Sequence, residues 1–399
     1  MGAVMTVVFA AYHDFHSNSS IQIFSLANRM VEFGHRVHIC VPAGKETATL
    51  PGEPHFACCT YGEALNRPDQ FTREPGGTVI HAWTPREGVR KFTGRLRDAL
   101  GCQLVVHLED NEDIVTSAIL GRDRDELLAL ADEELDAAIP DSLSHPRRFR
   151  AFLESASGVT FLIDRLSEFV PADKPQLMFW PAHNDRIFRE MPLQLGKRRS
   201  LGIADHEMVV AYVGNVTPAN RDEVASLYLA VAILRRMGHP VWLVRTGTDF
   251  TPLFEGAPGE ISAAVISLGQ LQSHTEIPEV LGMADFLVQP GRANDYNDYR
   301  FPSKLPEFFS IGRPVLLPYS NIGRFVRDGV DAVVLREGHA MEIADRLAEL
   351  IADPEKRVRL SRGALAFCRE HFDWKKAAAA VTDFYGKVCA SSRMAEKAT

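Results

Sequence analysis

The chain has 399 residues and a net charge of −8, with 46% hydrophobic and 24% charged residues. That length accommodates two domains, each with its own core, and the composition is that of a globular protein. The negative balance excludes a general nucleic-acid binder, whose surface is basic, and no apolar run approaches the ~20 residues that span a bilayer. The first strand follows the N-terminus without a basic leader, so no signal peptide is expected. Cys40, Cys58, Cys59, Cys102, Cys368 and Cys389 form no CxxC pair. They read as reduced thiols of a cytoplasmic protein, with contact at a membrane surface left open.

Short apolar runs alternate with helical patterns, which predicts βαβ units and parallel sheets. Residues 3–11 read as a strand broken only by Thr6. Ser19 or Ser20 caps a helix that sets Ile23, Phe24, Ala27, Met30 and Val31 on one face. Gly34 ends it and 36–41 is the next strand. Further strands are expected at 78–82, 104–107 and 158–163. The acidic stretch 111–140 reads as an insertion with one helix, a solvated helix in preference to a lid or partner surface, followed by a surface loop. Residues 188–201, with Pro192, Gly196 and Lys197-Arg198-Arg199, read as an interdomain linker. A second series of strands follows at 208–213, 241–244, 264–268, 286–288, 315–317 and 332–335. Val224, Leu227, Val231 and Leu234 give the helix between the first two an apolar face.

The most telling stretch is 300–318, RFPSKLPEFFSIGRPVLLP. Ser303 is a good N-cap, and 304–311 make about two helical turns with Pro306 in the first. Gly312 stops the helix, and a buried strand follows. A helix N-terminus beside Lys304 suits a phosphate, and Glu307, one turn in, suits ribose hydroxyls. The same residues also read as an ordinary capped helix with a solvated Lys–Glu face.

KLPEFFSIGRPVLLP resembles the carboxyl-domain signature of family-four glycosyltransferases, the group 1 glycosyl transferases of the GT-B fold. HFDWKKAAAAVTDFYGKV, from His371, resembles the closing helix of that family. The resemblance implies an α/β protein with two Rossmann-like parallel-sheet domains facing a cleft. Residues 1–190 would form the acceptor side and 191–370 the nucleotide-sugar side, with 371–399 crossing back to the amino-terminal domain. It implies retaining, metal-independent transfer of a hexosyl group, with no cofactor. The donor would be a nucleotide-diphosphate sugar, and the acceptor a hydroxyl of a sugar, lipid or other molecule.

The family carries two glutamates with seven residues between them. Glu307 matches the second, which holds the ribose, while the first position falls on Tyr299, beside Asp298. Arg300, Phe301, Pro302, Ser303, Lys304 and Leu305 fall where relatives hold the diphosphate with backbone amides and a positive charge. In VGNVTPANRDE, Gly214 matches the family, Asn215 replaces an arginine, and Arg221 lies one position beyond the family's lysine. A guanidinium can grip phosphate with two hydrogen bonds, so Arg221 can substitute; it reads equally well as a first-turn surface residue. In SLGQLQ, Gly269, Gln270 and Leu271 fall where relatives pass under the base.

In the amino half, HDFHSNSSIQ replaces the family's glycine-rich loop and offers His13, Asn18 and Ser19 near a helix start. HLEDNED places Glu109 and Asp110 where relatives have a histidine that faces the sugar. With Glu112 and Asp113 they match no standard metal loop, and a solvated acidic loop is an equal reading. HAWTPRE brings Trp83 and Arg86 to the end of the preceding strand; Trp83 also reads as a packed core residue. Arg221, Lys304, Glu307 and Glu109 are thus the expected catalytic set. The alternatives are a catalytically silent nucleotide-sugar-binding subunit and another GT-B activity such as a sugar-nucleotide epimerase.

Overall fold

The computed structural model describes residues 3–47, 50–72, 74, 76–254 and 259–398. It divides into two units. The first comprises Met1–Pro181, Tyr299–Phe301 and Trp374–Thr399, and the second Ala182–Asp298 and Pro302–Asp373.

The first unit is built on seven strands, β1 (Thr6–Ala11), β2 (Arg36–Val41), β3 (Ala57–Thr60), β4 (Thr78–Trp83), β5 (Gln103–Leu108), β6 (Gly158–Phe161) and β7 (Gln176–Met178). They pair in the order β3-β2-β1-β4-β5-β6-β7, every neighbour parallel. β1 is buried along its whole length, as a parallel strand covered on both faces must be. β3 and β7, of four and three residues, have no alternation that sequence reading can detect. The buried histidines of β4 and β5 are explained by one polar chain. His81 Nδ1 meets the Tyr385 hydroxyl at 2.7 Å, its Nε2 meets Thr160 Oγ1 at 2.9 Å, and Thr160 Oγ1 also meets His107 Nδ1 at 2.8 Å. Burial holds His81 near a pKa of about 3, so the ring stays neutral. Tyr385 comes from the closing helix Trp374–Ala398.

Within 111–140 the expected single helix is instead three, Glu112–Leu120, Arg124–Ala129 and Asp132–Ala138, and a further helix, Arg148–Ser155, precedes β6. They are not merely solvated: Leu127, Leu135, Ile139 and Leu143 bury a small core of their own. Asp123 and Glu126 form a capping box that starts the second helix.

The second unit has six parallel strands, β8 (Met208–Val213), β9 (Val241–Thr246), β10 (Val265–Ser267), β11 (Phe286–Val288), β12 (Val315–Pro318) and β13 (Val333–Leu335), in the order β10-β9-β8-β11-β12-β13. Val224, Leu227, Val231 and Leu234 are buried on the helix Arg221–Arg236, as their spacing predicts. Residues 188–201 lie inside this unit. Phe188 is fully buried, and Leu195–Ser200 is a helix. Arg198 in its basic run is also buried, donating to the carbonyls of Met283 (2.7 Å) and Glu207 (3.1 Å) and to Asp285 (2.7 Å). A guanidinium satisfied in this way can leave water, which is why polar composition here did not mark an exposed segment.

Candidate functional site

Ligands of parallel α/β sheets bind beyond the carboxyl ends of the strands. In the second unit two of those ends are closed by glycines. Gly214 after β8 has φ 147° and Gly247 after β9 has φ 103°, conformations that only glycine adopts without strain. Both also permit close approach. A Cβ on Gly247 would run into the Gly214 carbonyl, and one on Gly214 would lie 2.5 Å from Lys304 Nζ. The Lys304 ammonium rests over the Tyr212 ring, 4.7 Å from its centroid, a cation–π contact. The strand ends are joined to one another. Gly247 N–H donates to the Gly269 carbonyl (2.8 Å), and Thr248 N–H donates to Asn215 Oδ1 (2.8 Å). Asn215 thus braces backbone with its side chain. Gln270 is exposed, Oε1 lying 3.3 Å from Thr248 Oγ1, and Leu271 is half-buried.

The helix that carries Glu307 is Leu305–Ser310, shorter than expected. Lys304, not Ser303, takes the N-cap position, with helical backbone and no side-chain cap; Ser303 is exposed. Pro306 has no N–H and fits only the first turn, so the helix begins at Leu305. Pro302 is buried and accepts from Leu305 N–H at 2.9 Å. Leu305, Phe308 and Phe309 fill the core, leaving Leu305 only its backbone to offer a ligand. Glu307 Oε1 accepts from His274 Nε2 at 2.8 Å. Burial lowers the His274 pKa, but the Glu307 hydrogen bond and charge outweigh it, so the net shift is upward. His274 was missed by sequence reading. Its one signal was the Ser273-x-x-Glu276 capping box around it.

Arg221 opens its helix exposed, with Nε on Asp222 at 3.0 Å. Tyr299, Arg300 and Phe301 pack with the first unit, not with the second as expected. Tyr299 donates its hydroxyl to Glu168 at 2.8 Å and sets its ring 5.9 Å from Phe169, while Phe301 lies 6.5 Å from Trp180. Asp298, beside Tyr299, accepts from Ser320 (2.6 Å) and Arg324 (3.0 Å).

In the first unit, β5 delivers Glu109 to the carboxyl end of the sheet. Trp83 Nε1 donates to its Oε1 at 2.8 Å and Ser19 Oγ to its Oε2 at 2.5 Å. Ser19 also lies 3.4 Å from the Tyr12 hydroxyl, and the Arg86 guanidinium lies over the Tyr12 ring at 3.7 Å. Burial raises the Glu109 pKa to about 7, against the lowering effect of Ser19, Trp83 and Arg86. Burial likewise raises Asp110, against the charges of Arg300 and Arg86. Glu112 is raised for the same reason and accepts from Ser144 at 2.6 Å. The acidic loop is therefore desolvated rather than solvated. Among the described residues no group of three or more His, Cys, Asp or Glu is placed to hold a metal ion. Trp83 is fully buried, so it offers no ring face to a ligand, and its indole N–H goes to Glu109. His13 is exposed and paired with Asp14 at 2.5 Å. Ser17, not Ser19 or Ser20, caps the helix Asn18–Glu32 by accepting from Ser20 N–H (3.2 Å). The side chain of Asn18 lies outside the described residues.

Residues 207–353 match the family described as Glycosyl transferases group 1. The D-inositol 3-phosphate glycosyltransferase of Salinispora tropica is 27% identical over 232 residues, 54% of this chain and 45% of its own. The alpha-D-kanosaminyltransferase of Streptomyces kanamyceticus is 24% identical over 227 residues, 54% and 56% of the two chains. The chain thus spans about half the length of the curated relatives it matches. Anabaena HepE, crystallised with UDP and glucose, superposes with a TM-score of 0.66 at 14% identity, covering 95% of this chain and 98% of its own. Sucrose-phosphate synthase of Thermosynechococcus elongatus gives 0.68 at 15%, covering 97% and 100%. These last two likenesses bear on fold alone. No helix among the described residues is long and apolar enough to cross a membrane. Residues 207–353 thus resemble the group 1 glycosyl transferases, and the two Rossmann-like parallel-sheet domains are those of the GT-B fold.

Proposed function

We propose that this protein is a retaining glycosyltransferase that moves a hexosyl group from a nucleotide-diphosphate sugar to an acceptor hydroxyl without a metal ion. The observation that carries the reading is the Lys304 ammonium, seated over Tyr212 at the strand end that Gly214 keeps open. A departing nucleoside diphosphate gains negative charge, and a preorganised cation beside it lowers the barrier. Glu307, in the first turn of the next helix, accepts from the ribose hydroxyls. Retention and the choice of donor class follow the group 1 likeness. The HepE complexes with UDP and with UDP-glucose support UDP as the first nucleotide to try. Glu109, held by Trp83 and Ser19, faces the acceptor hydroxyl on the first unit. Tyr299 favours a second reading, a nucleotide-sugar-binding subunit without transfer, because its hydroxyl is committed to Glu168 where relatives have a carboxylate.

One assay decides between them. Purified protein is given UDP- and GDP-sugars, with and without simple sugar acceptors, and nucleoside diphosphate release is followed. Turnover that is lost in Lys304→Ala supports the transferase. Binding of nucleotide with no release under any condition supports the silent subunit.

A further inference from the structure

We propose that His274 is the positioning residue of Glu307, fixing which carboxylate oxygen meets the nucleotide; this rests on the reading of Glu307 as the ribose-binding group. His274 Nε2 lies 2.8 Å from Glu307 Oε1. The Glu307 side chain is 13% exposed, so its carboxylate is not freely solvated, and the ring that holds it is 35% exposed. An acidic side chain in a first helical turn has several open rotamers, and one directional bond removes most of that freedom. The ring is itself held. It packs against Phe188, centroids 5.1 Å apart, and the Ser273–Glu276 capping box fixes the backbone around it. His274 Nδ1 is buried with no hydrogen-bond partner among the described residues. The Nε2 bond to Glu307 is therefore the ring's polar anchor, and rotating it away would orphan both nitrogens.

Two consequences follow for a nucleotide. Oε1 is committed to His274, which leaves Oε2 to accept from the ribose. The bond also offsets the carboxylate charge. An uncompensated carboxylate near a diphosphate repels it, and at protein dielectric that repulsion is felt over several ångströms. The upward shift of the His274 pKa, caused by Glu307 against burial, agrees with a pair that shares its charge.

The test is calorimetry with UDP and with GDP on the full chain. Wild type is compared with Glu307→Ala, His274→Ala, His274→Gln and the double variant Glu307→Ala/His274→Ala. We expect each alanine variant to weaken nucleotide binding roughly 10-fold. The double variant should be no weaker than Glu307→Ala alone, since coupled partners are not additive. His274→Gln keeps a donor and should recover most of the loss. In turnover, His274→Ala should raise donor KM while kcat stays within about 2-fold, the mark of a lost ground-state contact. If Glu307→Ala binds both nucleotides as wild type does, or wild type binds neither, the reading of Glu307 itself fails. If Glu307→Ala weakens binding while His274→Ala does not, or if the two losses add, the role of His274 alone is overturned.

Discussion

Lys304 and Gly214 occupy one another's space: the ammonium sits where a side chain on residue 214 would begin, 2.5 Å from the Cβ that glycine lacks. The first prediction follows directly. Gly214→Ala would force alanine to φ 147° and push Lys304 off the Tyr212 ring. We expect a stability loss of ~1–3 kcal/mol and a fall in donor turnover of roughly 10²-fold, like that of Lys304→Ala. Thermal melts beside turnover assays measure both. An active, fully stable Gly214→Ala protein would show that Lys304 does not need this place.

Charge neutralisation by the protein predicts that transfer survives EDTA. Lys304→Ala should slow it by roughly 10²-fold. Arg221→Ala should change it far less, because Arg221 is exposed and paired with Asp222. Activity abolished by EDTA and restored by magnesium or manganese would overturn the metal-free mechanism. A large loss in Arg221→Ala would return that residue to the site.

Glu109 should impose a pH dependence near neutrality. Its folded pKa is raised from 4.5 to about 7, chiefly by burial. Below pH 4.5 the group is protonated in both folded and unfolded chains and costs nothing. Between 4.5 and 7 the unfolded chain ionises while the folded one keeps its proton, so stability falls as pH rises and levels off above about 7. Glu109→Gln should remove this dependence, up to roughly 3 kcal/mol between pH 4 and 8. Chemical denaturation of both proteins across that range checks it; parallel curves would refute the buried carboxylate.

Trp83→Phe keeps the packing but removes the N–H that Glu109 Oε1 accepts. A carboxylate that loses a donor is harder to ionise. Any turnover limb that belongs to Glu109 should therefore move to higher pH, with kcat at high pH partly preserved. A limb that stays in place would separate Trp83 from the ionisation of Glu109.

The strand series was legible because buried parallel strands leave continuous apolar runs. Thr6–Ala11 and Met208–Val213 differ from their sequence readings by three residues or fewer. Residues 300–318 were legible as loop, helix and strand for the same reason. What the sequence hid was partnership across the chain. The Tyr299 hydroxyl finds Glu168 and Glu307 finds His274, pairs 131 and 33 residues apart. The buried state of Glu109 was hidden too, since a cluster of four acidic residues looks solvated until Trp83 and Ser19 are found hydrogen-bonded to its carboxylate. Arg198 misled in the same direction, its charge compensated by Asp285 and its other donors taken by carbonyls that no local pattern announces.

The first unit is discontinuous, and that constrains how the protein is made. Its sheet comes from the first 181 residues, yet Tyr385, which completes the His81–Thr160–His107 chain, is synthesised after the second unit. On the ribosome the amino-terminal domain must wait, with His81 lacking its Nδ1 partner, while the whole second unit emerges. Domains usually fold in order as they leave the ribosome; here the unit begun first gains its closing helix only after the second unit has been made. Its final closure is a contact across 304 residues, the kind of long-range contact that slows folding.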